Sequence, residues 1–304
     1  MDVIITGATG FIGKALCRNL VDAGYDVVAL SRDPSKGSRL LGSIVKVVEW
    51  DGKSAQGWGD YADGAYAIIN LTGENISSGR WTEAKKQEIL QSRISAGEAV
   101  VEAVKRAREK PNVVIQASGI GYYGSRSDEI IDESSSPGGG FLSEVAQRWE
   151  LSTKKVGTLG VRQVVIRTGV VLGSDGGALP RLLTPFRLFV GGPLGSGKQW
   201  LPWIGLDDEV EAIRFLMEKK NLSGAFNLCA PQMLTMKDFC RILGKVMKRP
   251  SWFPAPGFLL RLVFGEMADE VLLSGQRAIP KRLMKAGYNF LYPDCESVLK
   301  KILS

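Results

Sequence analysis

The stretch Asp2-Val3-Ile4-Ile5-Thr6-Gly7-Ala8-Thr9-Gly10-Phe11-Ile12-Gly13 decides how this chain reads. Asp2 to Thr6 is an apolar, β-branched run of strand length, and Phe11, Ile12, Ala15, Leu16 and Leu20 recur behind it at helical spacing. Between them the three glycines answer three steric demands: a tight turn out of the strand, a close approach of backbone to a ligand, and a close approach of helix to sheet. A helix starting directly after such a turn presents unpaired N–H groups and the positive end of its dipole, which together bind phosphate. The segment therefore predicts a dinucleotide site made by Gly7, Thr9, Gly10, Phe11, Ile12 and Gly13.

Outward from that segment, apolar runs alternate with helical patterns: 27–30, 45–48, 67–71, 113–115 and 164–166 read as strands. Such alternation predicts an α/β fold, a Rossmann-type doubly wound parallel sheet with helices on both faces. Thr82 to Ala107 has the length and pattern of a helix along one face. After Leu172 the pattern loosens, and 173–202 is rich in glycine and proline. A helix from Asp207 to Glu218 and a strand at 225–228 are expected to return to the sheet. Thr235-Met236-Lys237-Asp238 reads as a capping box opening a helix to about Met247, and helices near 258–264 and 294–303 close the chain. The expected organisation is a cofactor-binding domain over 1–172, with 203–230 returning to it, and a smaller, mainly helical C-terminal substrate lobe from 173–202 and 231–304.

With 304 residues, 44% hydrophobic and 23% charged, the chain can bury a large core. Its formal charge of +7 is dispersed, and the basic run at 105–110 falls at an expected helix C-terminus, where cations suit the dipole. No expected strand interleaves aromatic and basic residues, so nucleic acid is not an expected partner. The chain has no histidine, which excludes histidine metal ligands and Ser-His-Asp catalysis, and no metal site is expected. Cys17, Cys229, Cys240 and Cys295 are widely spaced and read as buried thiols in a reducing compartment. No apolar run approaches the roughly 20 residues of a membrane span. With the first strand starting at Asp2, the expected location is the cytoplasm, or an organellar stroma or matrix for a processed chain.

The second strand ends at Leu30-Ser31-Arg32, where NAD-binding proteins place a carboxylate on the ribose hydroxyls. Ser31 and Arg32 offer instead a hydroxyl and a guanidinium able to pair with a 2′-phosphate, so NADP(H) is expected over NAD(H). Asp33-Pro34 reads as a turn, and Asp51 as either an adenine-edge contact or a turn residue.

The spacing Gly-x-x-Gly-x-x-Gly resembles the short-chain dehydrogenase/reductase superfamily, in its extended branch of epimerases and dehydratases. Ala117-Ser118-Gly119-Ile120-Gly121-Tyr122-Tyr123-Gly124, Arg167-Thr168-Gly169-Val170-Val171-Leu172-Gly173, the glycine-rich 191–197 and Trp203-Ile204-Gly205-Leu206-Asp207-Asp208 narrow this further. Together they resemble one epimerase family, related to bacterial proteins once described as cell-division inhibitors and with relatives in chloroplasts and animals. The resemblance implies that Leu71, Thr72 and Gly73, in Asn70-Leu71-Thr72-Gly73-Glu74-Asn75-Ile76, run beside the nicotinamide ribose, and that Val171 also meets the cofactor. Glu88 and Arg93 either reach ribose and phosphate or are surface charge on a helix.

The resemblance also places catalytic groups at Ser118, Tyr122 and Tyr123, with one departure. The superfamily's reaction centre is Tyr-x-x-x-Lys, and this chain contains none; Leu142 and Ala146 would occupy the dyad positions if Glu150 is the glutamate that follows them. Gly119 stands where the superfamily's serine is usual, with Ser118 one place off, and relatives commonly carry histidine where this chain has Gly205. Without a nearby cation a tyrosine titrating at about 10 is a poor base at neutral pH, so standard alcohol oxidation is not expected. One reading makes Tyr122 or Tyr123 a proton donor, with Ser118 orienting a carbonyl and Arg126 supplying charge; the other makes the tyrosines pocket lining and Arg126 a loop residue. Trp200 and Trp203 read either as a wall for a planar substrate or as packing between lobes.

Two functions remain open. One is an NADP(H)-dependent oxidoreductase or nucleotide-sugar-epimerase-like enzyme acting on an unidentified small molecule. The other is a non-catalytic NADPH-binding regulatory or scaffold protein, in cell or plastid division. A monomer and a homodimer joined through 82–107 are both compatible with the pattern.

Overall fold

Burial along β1 (Asp2–Thr6) sets the layers of the molecule. Val3 and Ile5 enter a core with Leu16, Cys17 and Leu20 of α1 (Phe11–Asp22), whereas Ile4 points to the opposite face. There it meets Ala96, Val100 and Val104 of the long helix described below. The computed structural model describes residues 1–304.

The chain continues through β2 (Asp26–Ser31), α2 (Pro34–Leu41), β3 (Lys46–Glu49), β4 (Ala67–Asn70), α3 (Glu83–Arg106), β5 (Val113–Gly119), β6 (Ile130–Ile131), α4 (Phe141–Ser152) and β7 (Arg162–Thr168). It then forms β8 (Val170–Leu172), α5 (Leu179–Arg187), β9 (Trp203–Gly205), α6 (Leu206–Glu218) and β10 (Gly224–Leu228). The remainder is α7 (Met236–Met247), α8 (Gly257–Phe264), β11 (Arg277–Ala278), α9 (Lys281–Lys285) and α10 (Cys295–Leu303).

Seven strands form one sheet in the order β10-β7-β5-β4-β1-β2-β3, every neighbouring pair parallel. A parallel sheet is covered on both faces, which is why its strands are unbroken apolar runs. α1 and α6 pack on one face; α3 lies on the other, with α4 against it. Thr82 caps α3 by accepting the Lys85 N–H, and Lys110 Nζ donates to the Ala107 carbonyl at its far end, opposite the dipole. The strand order reverses at β1, whose neighbours are β2 and β4. In such sheets ligands bind outside the carboxyl ends at this reversal, which is where the Gly7 and Leu71 loops emerge.

The C-terminal region has its own core, in which Leu179, Leu183 and Phe186 of α5 meet Phe239 and Leu243 of α7 and Val298 and Leu299 of α10. Thr235 and Asp238 form the capping box of α7. Trp203 lies at the centre of this core, fully buried, its indole N–H donating to the Gln232 carbonyl. It is therefore packing rather than a substrate wall. Buried Asp208 accepts from the backbone N–H groups of Leu291 and Tyr292 and from the Tyr288 hydroxyl, fastening the last segment of chain to α6. All four cysteines are buried thiols, and no helix is long and apolar enough to cross a membrane.

Candidate functional site

The turn after β1 is built so tightly that only glycine fits its critical positions. Gly7 has φ +69°, and a Cβ there would lie 2.9 Å from the carbonyl carbon of Leu71 in the loop after β4. A Cβ on Gly13 would lie 2.3 Å from the Gly7 carbonyl oxygen, so α1 rests directly on the turn that precedes it. Gly10 is the N-cap of α1; no side chain caps this end and no acidic residue stands in its first turn. The first N–H groups of α1 are thus available to an anion.

These loops border a cleft of about 680 Å³. Of the residues expected to hold a cofactor, Gly7, Thr9, Gly10, Ser31, Arg32, Asp51, Leu71, Thr72, Gly73 and Glu88 line it. Phe11, Ile12, Gly13, Arg93 and Val171 do not. Gly13 acts from behind, through the helix contact just described. The Phe11 ring packs beneath the loop of Gly173, Gly176 and Gly177, and Val171 is core. Arg93 is buried, stacks 4.7 Å from the Trp149 ring and donates to the carbonyls of Glu74 and Ile89. It supports the cleft wall at Gly73, and burial lowers its pKa to about 10.

At the β2 end of the cleft the side chains divide by sign. Asp33 uses its carboxylate to cap α2 at the Lys36 N–H, and the Ser31 hydroxyl bonds the Asp33 backbone. Arg32 is exposed and pairs with no carboxylate, and Lys53 joins it on the lining. The Asp51 carboxylate accepts from Lys53 N–H, Ser54 N–H and the Ser54 hydroxyl, the geometry of a turn residue, and those bonds outweigh desolvation to hold its pKa below the ordinary value. Glu88 is exposed and pairs loosely with Lys85, which bonds Glu74 more closely.

Polar side chains beneath the cleft hold its floor. Thr6 Oγ1 donates to Asn70, whose amide donates to Gln116, linking the carboxyl ends of β1, β4 and β5. Thr72 N–H donates to Thr6 Oγ1, while Thr72 Oγ1 is buried with no partner. A buried hydroxyl on a cleft wall is costly unless a ligand or water bonds it.

Ser118, near the end of β5, and Tyr122 and Tyr123, on the turn after it, lie outside the cleft lining, and β5 pairs with β4. Ser118 Oγ donates to Glu150 Oε1 at 2.7 Å. Glu150 in turn receives a two-point bond from Arg167, at 2.8 and 2.9 Å. Arg167 also donates to the Tyr123 hydroxyl, which donates to Asn227 at 2.8 Å. Burial disfavours the Arg167 cation, but Glu150 more than offsets this and raises its pKa. Tyr123 has no exposed surface, and burial pushes its pKa up to about 12. Its hydroxyl is committed to this buried network. Tyr122 is half-buried, makes no side-chain hydrogen bond, and lies with its ring centroid 3.4 Å from the Arg167 guanidinium carbon. Leu142 of α4 abuts Gly121. Arg126 is a loop residue, bonding Tyr123 O, Ser136 and Pro137 O.

Glu150 and Arg167 form a buried ion pair that the sequence does not single out. Both were in view, Glu150 as a helix landmark and Arg167 within a motif, but nothing local marks them as partners. The Trp200 indole donates to Asp128 with the Arg277 guanidinium over its ring, joining the 128 loop to the C-terminal region.

A doubly wound parallel sheet with a glycine turn at its reversal point and an anion-ready helix above it defines a protein of the Rossmann-type, nucleotide-binding class. Residues 3–229 match the NAD dependent epimerase/dehydratase family, and the chain belongs to it. Residues 255–302 match a domain of unknown function, DUF1731. Epimerase family protein YfhF of Bacillus subtilis (strain 168) is 36% identical over 100% of this chain and 98% of its own length. The chloroplastic SDR39U1 homolog of Arabidopsis thaliana is 37% identical over 100% of this chain and 87% of its own. The crystal structure of human epimerase family protein SDR39U1 (isoform 2) with NADPH superposes with a TM-score of 0.90, at 35% identity and covering 99% of both chains.

Proposed function

We propose that this chain binds NADPH across the Gly7–Gly13 turn and reduces a small carbonyl-bearing substrate at the mouth of the cleft, with Tyr122 as the proton donor. The observation that carries the cofactor half is the division of charge after β2: Arg32 is exposed on the cleft, while the neighbouring acid, Asp33, caps a helix. A 2′-phosphate suits that arrangement and a bare ribose diol does not. The glycine cradle and the unpartnered Thr72 hydroxyl fit such a ligand, and the human relative was solved with NADPH. When bound, the dinucleotide supplies a hydride.

The chain's own residues supply the rest. The Ser118 proton is engaged by Glu150, so Ser118 has only lone pairs left and cannot also donate to a carbonyl oxygen. Tyr122 has a hydroxyl that makes no hydrogen bond within the protein, and the Arg167 guanidinium carbon lies 3.4 Å from its ring centroid. Arg167 thus sets a cation against the Tyr122 ring in a chain that has no Tyr-x-x-x-Lys, and Glu150 fixes its position. The absent dyad favours a second reading, a regulatory protein that binds NADPH without turnover.

Parallel fluorescence titrations with NADPH and NADH, with absorbance-monitored turnover over a panel of carbonyl compounds, test both halves. NADPH is expected to bind more tightly, and Arg32→Ala to remove the difference; no NADPH binding would overturn the cofactor assignment. Tyr122→Phe is expected to lower turnover by about 100-fold or more, the usual scale of a lost general acid. Turnover unchanged in that variant would overturn the role of Tyr122, and binding without turnover of any compound would favour the regulatory reading.

A further inference from the structure

The apolar surface of this molecule is concentrated on its C-terminal region. Of the eight residues of α8, six are large and apolar, yet none is buried. Phe189, Trp252, Phe253 and Phe258 are all the exposed aromatic residues of the chain, and all lie on α8 or the two segments beside it. Trp252 is 76% exposed, Phe258 67% and Leu262 70%. The segments are contiguous: Phe253 N–H donates to Gly191 O and Ala255 N–H to Pro193 O, and α8 follows two residues later. Exposed apolar area of this kind marks a contact surface.

The unpaired charge on its two flanking segments is basic. Residues 187–192 and 248–265 contain Arg187, Lys248, Arg249 and Arg261 and no aspartate or glutamate, and Arg261 is paired with Asp269 just beyond α8 at 2.9 Å. Arg187 and Lys248 are exposed and unpaired, and the Arg249 guanidinium lies 4.3 Å over the Phe189 ring. A second copy seated face to face would bring Arg187, Lys248 and Arg249 of the two copies against one another, the adjoining acids Asp269 and Glu266 being already paired with Arg261 and Lys86. Aromatic and leucine side chains ringed by lysine and arginine are instead the chemistry of an interfacial element: the rings enter the headgroup boundary and the cations meet lipid phosphates.

We propose that α8 and the adjoining 187–190 and 248–253 segments dock the protein reversibly on an anionic phospholipid surface. The docking is peripheral, by one short helix and two loops, and is independent of the reaction proposed above.

The test is flotation of the full chain with phosphatidylcholine vesicles, with and without about one-third phosphatidylglycerol. Two variants accompany it: Trp252→Ser/Phe258→Ser/Leu262→Ser, and Arg187→Glu/Lys248→Glu. All five side chains are exposed, and unchanged melting temperature and NADPH affinity check the fold. The protein is expected to float only with anionic vesicles, to release in high salt, and to lose about tenfold or more in partitioning in each variant. Absence of flotation, equal flotation on both vesicle types, or a dimer that the apolar triple substitution dissociates would each overturn the proposal.

Discussion

Replacing Glu150 by glutamine removes one charge from the network behind Tyr122 while keeping its shape. The Glu150 and Arg167 side chains are only 14% and 6% exposed, and their two-point bond is 2.8 and 2.9 Å long. Removing one partner of a buried pair costs ~3–5 kcal/mol, because the remaining charge stays desolvated. Glutamine retains one acceptor for Arg167, which brings the expected loss to about 3 kcal/mol. The same helix carries a control: Glu144 pairs with Arg148 at 3.1 Å, but both side chains are 55% exposed. Glu144→Gln is expected to cost about 0.5 kcal/mol or less, as exposed pairs do. Urea unfolding measures both; with a slope of roughly 3 kcal/mol per molar, Glu150→Gln lowers the midpoint by about 1 M and Glu144→Gln barely moves it. A Glu150→Gln loss below about 1 kcal/mol, or equal losses in the two variants, would refute the argument that Arg167 depends on Glu150 for its charge.

Gly13→Ala puts a Cβ 2.3 Å from Gly7 O and 2.7 Å from the Ala8 Cα, forcing α1 away from the turn. The overpacking is expected to cost ~1–3 kcal/mol and to abolish the rise in melting temperature that NADPH gives the unaltered protein; an undiminished rise would show that the turn is not the phosphate cradle. Glu209 is fully buried, accepts one bond from Thr168, and has a second oxygen without a partner. Burial pushes its pKa up to about 8. The folded state therefore holds a proton that the unfolded chain releases, and this group makes stability fall as pH rises from about 4.5 to about 8. Glu209→Gln is expected to flatten that slope, gaining ~3–5 kcal/mol relative to the unaltered protein by pH 8; parallel pH–stability curves for the two proteins would contradict it. Tyr123→Phe breaks bonds to Arg167 and Asn227 without touching the proposed donor, so stability should fall by about 1–3 kcal/mol while turnover persists. Loss of turnover in a still-folded variant would return Tyr123 to the chemistry.

What the sequence alone determined was whatever physics encodes at short range. The strand and helix around Gly7, Gly10 and Gly13 are legible because periodicity and steric exclusion act over a dozen residues, and the helix now seen at Glu83–Arg106 and the Thr235 capping box are legible for the same reason. Arg32 against Asp33 was legible too, since a residue before proline is readily recognised as a turn or helix start. Only the tertiary structure joined Glu150 of α4 to Arg167 of β7 and the Tyr123 turn, because a buried ion pair and two surface charges have the same one-dimensional appearance. It also separated half-buried Tyr122 from fully buried Tyr123, its neighbour in the chain, and sent Trp203 into a core. The octapeptide of α8 shows the limit most plainly: its apolar composition reads as core, and only the packing of the rest of the chain leaves it without one. Burial is a property of what else is nearby, and that is decided by the whole fold.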